Sequence, residues 1–287
     1  MTRACVLTFV CSAMASLALA QEPAPTPAPD NFEEGEFSLG VGQTDNDTLS
    51  SKFEEYRDLP NGLFAPSFRF RGEHDGFYWN FVGRDIQERD QRYWLDLRKG
   101  AIWIVGDYNQ IPHNFGNDGH TLLTSTSEGV WQTTDALQRN FQTAITSVPQ
   151  NQVTFPFLNN LVTPSLNAAN SVDLSLQRER GRVAMKVVPE GPFDVTVAYF
   201  RERRTGDRAA SGTAFGFGNV VELPETLHYL TQDVGADASF SGDWGVVRAG
   251  LHYNWFENRI ETFAFDNPFR ITDSTDASAY QAPGTAS

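Results

Sequence analysis

The chain has 287 residues, with 22 basic and 36 acidic side chains, a net charge of −14 and a mean hydropathy of −0.38. That acid excess argues against nucleic acid as a partner, which needs a clustered basic surface. Aromatic content of 13% alongside 23 glycines suits β-structure with polar loops. The negative hydropathy does not exclude a membrane barrel, because only alternate strand residues meet lipid.

Residues 1–20 read as a secretory signal. Arg3 supplies the positive start, an apolar run follows, and Ala18-Leu19-Ala20 is a small-x-small cleavage site before Gln21. Its loss removes one basic and no acidic residue, so −14 becomes −15. The two cysteines, Cys5 and Cys11, both lie inside it, so the mature chain has no disulfide, thiolate metal site or Cys-x-x-Cys-His haem attachment. No later stretch approaches the ~20 apolar residues of a spanning helix. Residues 21–35 form a Pro/Ala-rich, flexible periplasmic lead-in.

In the first strand Phe37, Leu39 and Val41 alternate with Ser38, Gly40 and Gly42. Turn chemistry over 43–51 and at Pro60-Asn61-Gly62 leads into residues 61–112, where the pattern is strongest. Three segments there put Phe68 and Phe70, then Phe77, Trp79 and Phe81, then Tyr93, Leu95 and Leu97 on one face. Arg69, Arg71, Arg84, Arg92 and Arg98 fall on the other. Short links at Glu73-His74-Asp75-Gly76, 87–90 and Lys99-Gly100 make consecutive strands antiparallel neighbours, a meander. A further strand with Ile102, Ile104 and Tyr108 on one face is expected to end at Pro112.

From about 113 to 175 the alternation gives way to a long loop, with one expected helix over 128–147 carrying Leu137, Phe141 and Ile145 at i, i+4, i+8. Strands resume over 182–188 and 193–201, and after a polar loop at 203–227 a last pair covers 231–241 and 245–257. About nine to eleven strands are expected, followed by a loop-like tail at 272–287. In a soluble sandwich the aromatic face would be a dry core. In an outer-membrane barrel it would face lipid, with the charged face lining a lumen. Long loops on one rim and tight turns on the other favour the barrel.

Several segments in order resemble the MtrB/PioB barrels, outer-membrane proteins associated with decahaem cytochromes. They are Tyr56-x5-Gly62, the doubled aromatic-basic strands, and Asp107-Tyr108-Asn109-Gln110-Ile111-Pro112-His113-Asn114. Tyr199-Phe200-Arg201-Glu202-Arg203-Arg204-Thr205-Gly206, Phe215-Gly216, Leu223-Pro224-Glu225 and Asp266-Asn267-Pro268-Phe269 follow. The resemblance implies an all-β fold, an antiparallel meander over 36–271 that forms part of a transmembrane outer-membrane barrel. It implies a non-enzymatic sheath that holds a periplasmic multihaem c-type cytochrome, with outer-membrane lipid outside and an extracellular cytochrome as a further partner. Haem is then expected only on the partner, with no cofactor bound covalently here. Some family members carry a Cys-x-x-Cys that this chain lacks, so a role tied to that pair is not carried over; family barrels are also much longer and the chain ends in a loop-like tail, so a fragment of a barrel is expected.

On this reading Arg69, Arg71, Arg84, Arg92 and Arg98 are candidate lumen and partner contacts, through charge-assisted hydrogen bonds to the cytochrome or its haem propionates. Phe68, Phe70, Phe77, Trp79, Phe81, Tyr93, Leu95 and Leu97 are candidate lipid-facing residues, with Trp79 and Tyr93 the best placed for an interfacial girdle. A general or substrate-specific porin is the alternative, and a secreted soluble β-protein the third. His113 and His120, with Asp118 between them, sit in irregular sequence and are not assigned a metal. No Gly-x-Ser-x-Gly elbow or distinct acidic pair supports an enzyme.

Overall fold

A computed structural model describes residues 31–43, 51–59, 61–210 and 223–271. The expected signal at 1–20, lead-in residues 21–30, the Phe215-Gly216 segment and the tail at 272–287 lie outside these. Nine strands form one antiparallel sheet: β1 (Phe32–Gly42), β2 (Gly62–His74), β3 (Phe77–Ile86), β4 (Arg92–Lys99), β5 (Ile102–Thr121), β8 (Asn170–Val187), β9 (Phe193–Ala209), β10 (Pro224–Gly242) and β11 (Gly245–Asn258). They lie side by side in that order, as a meander with one insertion between β5 and β8. The Asp75-Gly76 hairpin has φ of 49° and 70°, the doubly left-handed pair that matches strand twist in a two-residue turn.

The insertion carries β6 (Thr124–Ser127), β7 (Val130–Gln132), α1 (Asp135–Thr146) and α2 (Phe155–Asn167). The expected helix over 128–147 is therefore corrected at its start: residues 130–132 pair as strand β7, and Thr134 caps α1 by accepting from the Leu137 amide at 3.3 Å. The buried stripe is Gln138, Phe141 and Ile145, with Leu137 half-buried. Helix α2, which starts with Pro156 in its first turn, was not expected.

The return segment explains Asp266-Asn267-Pro268-Phe269 locally. β12 (Ala264–Phe265) adds parallel to β7, and Asp266 accepts from the Thr133 amide at 2.9 Å. Asn267 accepts from the Phe269 amide at 2.9 Å, and the Phe269 ring lies 5.6 Å from Phe141. Leu123, Trp131 and Leu223 form a small core beside Val172, Ala210 and Phe265. Among the described residues no helix is long and apolar enough to cross a membrane.

Four strands run further than alternation predicts. β5 continues through Pro112, β8 begins at Asn170, β9 extends to Ala209 and β10 begins at Pro224. Pro112 is tolerated for a geometric reason. The Gln110 amide donates towards Gln91 beside β4, and the Asn114 amide to Glu55 from the β1–β2 loop. Pro112 lies between them with the same orientation, so its missing N–H points past the end of β4, as at a sheet edge.

Candidate functional site: the two faces of the sheet

Direct cross-strand partners share a face, so the register fixes which side chains belong together. Phe70, Phe81, Leu95, Gly106, Val183, Tyr199, Val234 and Tyr253 are paired in turn from β2 to β11, one unbroken row. Rows on the same face hold Trp79, Leu97, Ile104, Met185, Val197, Ala236 and Leu251, and Phe68, Gly83, Tyr93 and Tyr108. All eight residues assigned to the aromatic face thus share it. Leu251 is 63% exposed and Phe193 58%, with no second layer of strands laid over them among the described residues.

The apolar stretch of β9 runs from Phe193 to Tyr199, six steps or ~20 Å at ~3.4 Å per residue. Beyond Tyr199 the same face turns polar: Arg203 bonds Glu179 through Nε and Nη2 at 3.1 and 2.8 Å, and Tyr108 accepts from Gln110 at 2.8 Å.

The opposite face is mostly polar or small, with Val82, Trp94, Val105 and Phe200 as apolar members. One row reads Arg71, Asn80, Asp96, Val105, Ala184, Ala198, Gly235 and His252; the next reads Arg69, Val82, Trp94, Asp107, Arg182, Phe200, Asp233 and Asn254. All five sequence-selected arginines lie on this face, but in two environments. Arg71 is paired with Glu34 of β1. Arg98 bonds Asp96 at 2.9 and 2.6 Å and stacks on Trp103 at 4.5 Å.

Arg69, Arg84 and Arg92 instead line an open depression of about 510 Å³, joined by Arg180 and Arg182 of β8. The strand expected over 182–188 leaves out Arg180, and Arg182 stands at its first position without a face assignment. Arg84 and Arg92 are direct cross-strand partners, and their guanidiniums lie 5.7 and 4.2 Å from the Trp94 ring. None of these five arginines forms an ion pair among the described residues.

The histidines do not converge. His113 stacks on Tyr56 at 4.5 Å and faces Glu55 at 3.4 Å, whereas His120 bonds the Ala169 carbonyl at 3.3 Å. No cluster of three or more His, Cys, Asp or Glu with metal-holding geometry occurs among the described residues.

A family model described as "Putative outer membrane beta-barrel porin, MtrB/PioB" matches residues 43–285. The chain is also 32% identical over 108 residues to a protein named outer membrane protein MtrB from Shewanella baltica (strain OS185). That alignment covers 37% of this chain and 15% of the relative. With a nine-stranded meander, one apolar and one polar face, and a match over most of its length, the chain belongs to the MtrB/PioB family of outer-membrane β-barrels.

Proposed function

We propose that this chain supplies wall strands of an outer-membrane barrel that sheaths a periplasmic multihaem c-type cytochrome, so that electrons cross the membrane along the partner's haems. The wall contributes an opening, insulation from lipid and a docking surface, and has no catalysis of its own. Export by the signal at 1–20 belongs to the same reading, as does lipid contact for Phe68, Phe70, Phe77, Trp79, Phe81, Tyr93, Leu95 and Leu97.

The observation that carries the reading is the pairing of an uncovered apolar face across the sheet with an arginine-bearing face behind it. In a bilayer the first belongs against lipid and the second in a polar lumen. Tight connections at Asp75-Gly76, Gly100-Ala101 and Asp243-Trp244 define one rim and the start of β1 lies there, so this rim is periplasmic. The insertion between β5 and β8 then lies on the outer rim, where an extracellular cytochrome would dock.

Solubilisation in mild detergent followed by affinity capture and haem staining tests this. A c-type cytochrome is expected to co-purify, and neutralising Arg69, Arg71, Arg84, Arg92 and Arg98 together should lower its retention. Capture of the barrel alone, with free passage of small solutes into liposomes, would favour a porin instead.

A further inference from the structure

We propose that the depression around Trp94 is a binding site for a small multivalent oxyanion, one bearing two or more carboxylate or phosphate groups. Like charges placed directly opposite across a strand pair repel. Arg84 and Arg92 are such a pair, and neither forms an ion pair among the described residues. Cation–π contact with Trp94 offsets part of that repulsion but supplies no counter-charge.

Arg92 pairs with Asn109 and Asn109 with Arg180, so the cationic row continues across β5 to β8. The Arg180 Nε is buried without a hydrogen-bond partner. Five arginines thus concentrate in one hollow of a chain whose net charge is −14. Two carboxylates also line the hollow: Asp96 is engaged by Arg98 and by the Trp103 indole at 2.7 Å, and Asp107, opposite Arg182, is a single charge against five guanidiniums.

Guanidiniums favour planar, bidentate oxyanions, which makes carboxylate and phosphate the fitting chemistry. The volume of about 510 Å³ falls among small-molecule sites, not extended protein interfaces. This inference stands apart from the cytochrome reading, since it requires only the chain itself.

Titration calorimetry on the full chain in detergent micelles, with citrate and with pyrophosphate as probes, tests it. Saturable binding of at least one probe is expected, weakening as sodium chloride is raised. Tighter citrate binding marks the ligand as a polycarboxylate, and tighter pyrophosphate binding as a phosphate compound. The double variant R84Q/R92Q should lose affinity by about tenfold or more, because two charge-assisted bonds are removed. R92K, which keeps the charge but not the fork, guards against a folding artefact and should lose several-fold. R208Q, at a residue already bonded to Glu225 at 2.8 Å, should stay within about twofold, as an exposed pair contributes little. No saturable binding of either probe, or an equal loss in R208Q, would overturn the site.

Discussion

Gly72 and Gly83 are each roofed by an aromatic ring from the strand opposite. A Cβ on Gly83 would meet the Phe68 ring at 2.3 Å, and one on Gly72 the Trp79 ring at 2.3 Å. Both are registered cross-strand pairs, so each glycine leaves a slot that fits one ring in one register. Gly83→Val should therefore destabilise the β2–β3 pairing by about 1–3 kcal/mol, the range for overpacking. Gly106→Ala, whose new methyl would have only ordinary contacts at 3.6 Å, should stay within about 0.5 kcal/mol. Denaturant midpoints of the detergent-folded chain compare the two.

Acidic residues crowd the β3–β4 connection in the same way. Burial, then Asp85, raises the Asp90 carboxyl above its ordinary range; burial, then Asp58, does the same for Glu88. A raised carboxyl pKa means stability that is full below the ordinary value and lost as pH rises through the folded one. Protection of the amides at 88–91 should fall as pH rises above about 4, and Asp90→Asn should flatten that fall. Protection factors that increase with pH in the wild-type chain would contradict it.

At the scale of elements, the faces of β2, β3 and β4 were legible because apolar alternation and short turns coincide there. The limits of β5, β8, β9 and β10 were not, since a ladder is made by backbone groups and continues where both faces are polar. Around His113, Arg180 and Glu202 no side-chain period announces a strand, yet the register runs through. The arginine cluster was half legible for the same reason: three members come from the patterned block, and Arg180 and Arg182 arrive by the β5–β8 pairing.

This two-faced construction makes adjacent residues respond oppositely. Val197→Arg should reduce membrane assembly, at about 2–4 kcal/mol for arginine near the bilayer midplane. Ala198→Arg, in an inner row beside Ala184 and Gly235, should assemble normally. Heat-modifiable gel migration of outer-membrane extracts reads the difference. Equal effects would mean that the faces are not divided between lipid and lumen.

At the scale of the whole sheet, β1 and β11 are its two ends, and no ladder joins them among the described residues. Backbone groups left unpaired in hydrocarbon cost several kcal/mol each, so both edges require partner strands in a bilayer. Copies of the 287-residue chain are therefore expected to associate edge to edge in detergent or a bilayer, and cross-linking of assembled samples should trap them as oligomers. A stable heat-modifiable monomer of that chain would show that it closes on itself.

The division into lipid and lumen faces underlies every other statement, and spin-label accessibility along β9 tests it most directly. With Cys5 and Cys11 replaced by serine, V195C, T196C, V197C, A198C and Y199C are labelled one at a time in membrane-assembled protein. Oxygen accessibility should peak at 195, 197 and 199, with a water-soluble nickel relaxant favouring 196 and 198. Accessibility without that two-residue period, or with oxygen excluded from 195, 197 and 199, would contradict an apolar face set against lipid.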